Sequence, residues 1–153
     1  MIHQTDMDFE GHPIQKYGCF YLSTLWHVST RLPISLDTSA IKILLALWDL
    51  SARTFNEKPP VSSDCYVNSY DRVAKWFGII PIRPAAKARI EYLCAPDECE
   101  LLVFEYKGST HCTAGNGSGI VTYDPIPYSP FVIHGRLIGK RILSWRREDQ
   151  YVI

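Results

Sequence analysis

The sequence lacks three features that mark common classes of protein. Its sixteen basic and sixteen acidic residues cancel, so no net charge attracts nucleic acid or an anionic surface. The longest apolar stretch, 40–50, contains Lys42 and Asp49 and is too short to span a bilayer. Residues 1–10 lack the basic start and apolar run of a secretory signal. We therefore expect a cytoplasmic protein with neither a nucleic-acid nor a membrane partner.

Cysteine spacing excludes two further classes. The chain has five cysteines, an odd number, and no CxxC pair, which argues against a disulfide framework and a structural zinc site. A metal site built from His111, His134, Asp64 and Cys65 would lack the short ligand spacing that zinc sites use. We expect a reducing compartment, no metal and no cofactor. Individual roles for Cys65, Cys94, Cys99 and Cys112 stay open.

The composition suits one folded domain. Hydrophobic residues make up 46% and aromatic residues 12% of the 153-residue chain, which is enough side chain for one core. No repeat or low-complexity segment divides the sequence, so we predict a single domain over 1–153. The four tryptophans are spread along the chain and are expected in the core. They are Trp26, Trp48, Trp76 and Trp145.

Helical patterns occupy the first half of the chain. Apolar spacing predicts helices over 19–30 and 40–53, the second capped from within 37–39. A short helix over 70–77 follows, capped by Ser69 and closed by Gly78. Residues 56–64 indicate a loop. Pro81 and Pro84 interrupt the next stretch, and 85–93 is left open between a short helix and an extended connector.

The second half has the character of a sheet. β-prone runs cover 101–106, 119–123 and 136–145, and the glycine cluster 115–119 predicts a hairpin turn rather than a phosphate cradle. The basic residues of 140–147 are expected on the solvent face of an edge strand. Helices followed by an antiparallel sheet predict an α+β domain.

Cys19 is the candidate nucleophile. It follows Gly18 at the predicted start of a helix, where free N–H groups and the helix dipole favour a thiolate and could hold an oxyanion. A free cysteine is more often a buried core residue. The interpretation of Cys19 as a nucleophile therefore depends on whether the chain offers it a base and an orienting carboxylate. His27 lies two helical turns further on, about 12 Å away, too far to be the base.

His111 and Asp124 are the candidate partners. His111 follows a polar turn after the first predicted strand, and Asp124-Pro125 ends the next one. A neutral imidazole can take the thiol proton, and an aspartate can fix its tautomer and orientation. Each residue alone would be read as turn chemistry. Together with Cys19 they predict a Cys-His-Asp triad.

Three short segments carry a family resemblance: residues 17–20, Thr110-His111, and 119–125. They resemble the papain-like cysteine peptidase superfamily, especially its bacteriocin-processing and phage-encoded branches, which place Gly-Cys at the start of the central helix, His at the start of a strand and Asp-Pro at the end of the next. The resemblance implies a papain-like fold with the nucleophile's helix packed on the C-terminal sheet. It also implies bacterial or phage origin, and a place in the host cytoplasm if phage-encoded.

The family often supplies an oxyanion donor from a glutamine before the cysteine. Gln15 is the matching candidate, with Gln4 as the fallback. Cys112, beside His111, is expected to be a core side chain, because adjacent strand residues point to opposite faces.

The sequence thus predicts a cysteine-dependent hydrolase that cleaves a peptide or isopeptide bond through an acyl-enzyme. Transfer of the acyl group to another acceptor remains open. The alternative is an inactive papain-like module of phage or plasmid origin that binds a host protein. A helix-turn-helix regulator over 39–78 is disfavoured, because no basic recognition helix is present.

Overall fold

The computed structural model describes residues 1–147; the end of the predicted domain, 148–153, lies outside the described residues. After a 3-10 turn at Met7–Phe9 come four helices, which are α1 Pro13–Tyr17, α2 Cys19–Arg31, α3 Thr38–Phe55 and α4 Tyr70–Trp76. The sheet and one more helix follow, in the order β1 Ile79–Ala88, β2 Glu98–Tyr106, β3 Ser109–Gly115, β4 Val121–Tyr123, α5 Pro130–His134 and β5 Arg136–Arg147.

The strands form one antiparallel sheet in the order β1-β5-β2-β3-β4. The helices pack on this sheet, so the predicted α+β class is confirmed. Strand β3, which carries His111, lies between β2 and β4 in the described sheet. Because α2 packs most closely on β3, the candidate nucleophile and the candidate base lie on neighbouring elements.

Local signals explain where the helices begin and end. The Asp37 side chain accepts a hydrogen bond from Ala40 N–H at 2.7 Å and caps α3, and Asn56 ends α3 in the left-handed conformation. Ser69 caps α4 by accepting from Arg72 N–H. The predicted helices over 19–30, 40–53 and 70–77 are confirmed to within two residues at each end.

The core lies between the helices and one face of the sheet. Each central helix contributes one apolar stripe, and strands β2, β3 and β5 contribute the other side. Among the buried residues are Tyr21, Leu25, Val28, Leu44, Trp48, Leu101, Ala114 and Trp145. The core prediction holds for Trp48 and Trp145 but is wrong for Trp76, which is 50% exposed and touches Trp48 edge-on.

Strand β1 was not predicted from the sequence. Pro81 and Pro84 lie within it, and residues 85–88, left open between helix and connector, complete it. Proline lacks the N–H that a central strand must donate, but β1 is an edge strand, and its register shifts on either side of Arg83. The prolines therefore mark an irregular edge, not an interruption.

The expected exposure of the basic residues is wrong for Lys140. Strand β5 lies between β1 and β2 and is not an edge. Lys140 is 1% exposed, and its Nζ lies 2.7 Å from one oxygen of the Glu100 carboxylate. The other oxygen of this carboxylate accepts hydrogen bonds from Gly117 N–H and Gly119 N–H. This buried pair holds the turn between β3 and β4, where the sequence predicted a hairpin.

Within residues 1–147 no helix is both long and apolar enough to cross a bilayer.

Candidate active site

Cys19 occupies the first position of α2 because Gly18 allows a sharp junction with α1. Gly18 N–H donates to the Ile14 carbonyl at 3.0 Å, and a Cβ at Gly18 would lie 2.5 Å from that oxygen. Only glycine fits so close to the preceding helix. The hydrogen bond from Leu22 N–H to the Gly18 carbonyl, 2.8 Å, begins the next helical ladder. The N–H groups of the first turn of α2 therefore point beside a half-buried thiol.

The buried His111 and the partly buried Asp124 form a hydrogen-bonded pair. The ring Nε2 of His111 lies 2.6 Å from Asp124 Oδ1, with side-chain exposures of 2% and 16%. Strand pairing produces this contact, since Tyr123 at the end of β4 lies opposite Ala114 of β3. Ile126 N–H donates to the same carboxylate oxygen at 2.9 Å. The Asp124 carboxylate is thus oriented toward the His111 ring by a hydrogen bond from its own loop.

The pair keeps His111 protonated over a wide pH range. Burial lowers the pKa of His111, but hydrogen bonding with Asp124 and Cys19, together with the charges on those two groups, outweighs burial and raises the pKa to about 9. Since Nε2 is engaged by Asp124, Nδ1 is the ring nitrogen left for the thiol. The His111 ring is thus bound by the Asp124 carboxylate at Nε2 and is influenced by Cys19 as well.

Neighbouring side chains hold this group together. Phe131 of α5 lies over the His111 ring with centroids 5.2 Å apart. Ser23 Oγ donates to the Cys112 carbonyl at 3.1 Å and so joins the helix of Cys19 to the strand of His111. Trp26 stacks on Tyr123 at 4.9 Å. These contacts fix α2 against the two strands that carry the partners of Cys19.

Cys112, the residue after His111, is part of the hydrophobic core. It is fully buried in the core, and burial raises its pKa well above the usual value. The expectation of a core side chain is confirmed.

Both candidate glutamines lie near α1 but differ in burial. Gln15 is exposed and does not line the cleft around Cys19 in the part of the chain that the structure describes. Gln4 is 2% exposed; its Nε2 donates to the Gln15 carbonyl at 3.0 Å, and its N–H donates to the Pro125 carbonyl at 2.7 Å. The role of Gln15 as an oxyanion donor stays a prediction, and Gln4 is the one tied to the Asp124 loop.

The cleft at Cys19 contains residues that the sequence did not indicate. It has a volume of about 780 Å³, and Tyr17, Tyr70, Lys87 and Arg141 line it together with Cys19. Arg141 had been placed with a solvent-facing basic patch. Lys87 fell in the stretch whose structure was left open, so no pattern could bring it to this cleft. The register of β1 against β5, which sequence alone does not reveal, places the two side by side.

The other titratable groups bear on metal binding and include the second buried histidine, His27. No group of three or more His, Cys, Asp or Glu side chains within residues 1–147 could hold a metal ion. His27 is 4% exposed, and its Nε2 donates to the Glu100 carbonyl at 2.7 Å. Burial lowers the pKa of His27 to about 4, so it remains neutral near pH 7.

Together the fold and the site define an α+β domain with a cysteine at a helix start and a buried histidine–aspartate pair on the adjacent sheet. No family model, curated protein or solved structure matches this chain.

Proposed function

We propose that this chain is a papain-like, cysteine-dependent hydrolase of amide bonds, in which Cys19 is the nucleophile, His111 the general base and acid, and Asp124 the residue that orients His111. The observation that carries the proposal is the 2.6 Å His111–Asp124 pair together with the effect of Cys19 on the same ring. A buried histidine with a carboxylate on one nitrogen and a thiol at the other is the arrangement that activates a thiol.

The reaction begins from an ion pair in which His111 already holds the proton given up by the Cys19 thiol. The thiolate attacks the amide carbonyl carbon, and the carbonyl π electrons move to oxygen, where N–H groups of the first turn of α2 stabilise the oxyanion. Collapse of this intermediate breaks the C–N bond. His111 gives its proton to the departing amine, which leaves an acyl group on Cys19.

Water completes the cycle. His111 takes a proton from the attacking water as its oxygen bonds to the acyl carbon, and the C–S bond then breaks. The product is a carboxylic acid, and the Cys19–His111 pair is restored. Asp124 keeps the ring oriented in both halves, while Ile126 N–H holds the carboxylate in place.

The placement of these residues supports the papain-like assignment. Cysteine starts a helix that packs on the sheet, histidine lies on β3, and aspartate directly follows β4, the antiparallel neighbour of β3. The chain order Cys, His, Asp agrees with the resemblance seen in the sequence. Peptide bonds are the expected substrate, and isopeptide bonds require the same machinery.

One observation favours the alternative, a papain-like module that binds a host protein without catalysis. The Gln15 side chain is exposed, so the oxyanion donor suggested by the resemblance is not seated beside the thiol. The N–H groups of α2 would then be the main source of oxyanion stabilisation. A slow or inactive site would fit a binding role.

Alkylation by iodoacetamide, followed by mass spectrometry of all five cysteines, tests the proposal. Near pH 7 we expect Cys19 to react at least about tenfold faster than the others, because burial raises the pKa of Cys94 to about 11 and the pKa of Cys65 and Cys99 to about 12. His111→Ala should remove this advantage. His134→Ala, at an exposed histidine, is the matched control and should keep it. Equal rates at Cys19 in wild type and His111→Ala would overturn the catalytic pair.

A further inference from the structure

The cleft that opens at Cys19 is positively charged. Three cationic side chains line it, those of Lys16, Lys87 and Arg141, against a single carboxylate, Asp64. The chain as a whole is neutral, so this excess belongs to the cleft. Positive clefts concentrate anions by focusing the field between low-dielectric walls.

Two of these cations face each other across paired strands. Lys87 of β1 lies directly opposite Arg141 of β5 in the antiparallel register. Like charges directly opposite each other destabilise a sheet. None of the ion pairs found among residues 1–147 includes either side chain. The fold therefore bears an unfavourable charge pair at the wall of its own cleft.

The same strand shows how this chain neutralises a cation elsewhere. Arg83, also on β1, lies 3.1 Å from Asp97 and 3.2 Å from Glu98. The absence of such a partner at Lys87 and Arg141 is thus a property of the cleft and not of β1 as a whole.

Arg141 is positioned to bind a ligand. It is half-buried, and its Nη1 donates to the Lys140 carbonyl at 3.3 Å, which restrains the guanidinium. Tyr70 lines the same cleft as Arg141; burial raises the pKa of the Tyr70 hydroxyl, whereas the charge of Arg141 acts in the opposite direction. A restrained guanidinium beside an ammonium suits a carboxylate, which accepts two hydrogen bonds at once.

We propose that Lys87 and Arg141 bind a carboxylate of the substrate, so that the cleft selects acidic peptides whose scissile amide reaches Cys19. This inference rests on the proposed function, because the bound peptide is a substrate only if the chain is a hydrolase. The anion-binding wall itself can be measured whether or not the chain is a hydrolase.

Charged and neutral alkylating reagents measure how strongly the Lys87–Arg141 wall of the cleft favours an anion. Iodoacetate and iodoacetamide have similar size and reactivity class but differ by one negative charge. At low ionic strength, where screening is weak, we expect the iodoacetate-to-iodoacetamide rate ratio at Cys19 to fall about fivefold in Lys87→Gln/Arg141→Gln. Using the ratio cancels any change in the thiol itself.

Two further variants control for fold and total charge. Lys58→Gln/Lys75→Gln removes two exposed cations that do not line this cleft and should leave the ratio unchanged. Arg141→Lys retains the positive charge and should keep most of the wild-type rate ratio. This conservative variant tests the charge even if Arg141→Gln fails to fold. An unchanged ratio in Lys87→Gln/Arg141→Gln, or a Cys19 that neither reagent reaches, would overturn the inference.

Three peptide probes identify the source of the carboxylate. One has glutamate side chains and blocked termini, one has glutamines and a free C-terminal carboxylate, and one is fully neutral. Either acidic peptide should slow iodoacetamide at Cys19 in wild type but not in the double variant, and the more protective one identifies the source. Equal protection by all three would contradict carboxylate binding. Failure of the proposed hydrolase would show instead as a Cys19 rate that is independent of His111.

Discussion

His111 and His27 are buried to nearly the same extent but are held in different protonation states. Their exposures are 2% and 4%, yet the pKa of His111 is raised to about 9 and that of His27 lowered to about 4. His111 contacts a carboxylate and a thiol, whereas His27 donates to a backbone carbonyl. Burial alone therefore makes a neutral histidine, and charged partners are needed to keep a buried histidine protonated near pH 7.

The comparison separates structure from chemistry within one sheet. His27 joins α2 to β2 through Glu100 and has no need to change its charge. His111 lies between β2 and β4 beside the start of α2, where a change of charge is coupled to Cys19. Each histidine should thus leave a distinct mark on stability and reactivity.

The largest expected effect is the pH dependence of stability that His111 causes. Its pKa is higher in the folded than in the unfolded chain, so its stabilisation is complete below about pH 6.5 and is lost as the pH rises to about 9. The shift corresponds to on the order of 3 kcal/mol. Urea unfolding of wild type and His111→Gln at several pH values should show curves that converge in this window. Parallel curves would contradict the assignment.

His27 should act in the opposite direction. Its folded pKa is depressed, so the folded chain loses stability as the pH falls from about 6.5 toward 4. By pH 5 the loss should reach about 2 kcal/mol. His27→Gln can still donate to the Glu100 carbonyl and should flatten the acid limb while leaving the alkaline one intact. An acid limb of the same slope in this variant would show that other groups cause it.

Asp124→Asn is expected to make His111 resemble His27. Without the carboxylate, burial dominates and the imidazole tends toward neutrality, so alkylation of Cys19 near pH 7 should slow by about tenfold. Asp49→Asn, at the exposed α3 pair with Arg53, is a suitable control. A rate in Asp124→Asn equal to that in wild type would remove Asp124 from the site.

The smallest expected effect concerns the hydrogen bond from Ser23 that aligns α2 with β3. Ser23→Ala removes the hydrogen bond to the Cys112 carbonyl and should cost about 1 kcal/mol in the free energy of unfolding. The Cys19 rate should fall by less than about threefold, since Cys19, His111 and Asp124 all remain. A large loss of reactivity with no loss of stability would assign Ser23 a direct part in the site.

The sequence predicted elements that depend on local pattern. The helix of Cys19 and the cap at Ser69 follow from neighbouring residues, and so does the turn after β3. Strand β1 was missed because Pro81 excludes a central strand but not an edge strand, and the edges of a sheet are set by its pairing order. Lys140 was placed in solvent because its partner, Glu100, is distant in sequence.

The same limit applies to the site. The contact between Asp124 and His111 could be predicted because Asp124 directly follows a strand that pairs with the strand of His111, a short-range relation in the chain. The Lys87–Arg141 contact depends on the β1–β5 register over a long separation. The exposure of Gln15 depends on how α1 packs. Long-range register and packing are what the local pattern lacks.

The central claim is that Cys19, His111 and Asp124 act as one coupled group. Its most direct test is an NMR titration of the His111 ring in wild type and in Cys19→Ala. We predict a pKa of about 9 in wild type and a clear decrease in Cys19→Ala, because the thiol helps to raise it. A His111 pKa at or below 6.5 that is insensitive to Cys19→Ala would contradict the coupled group and the proposed hydrolase.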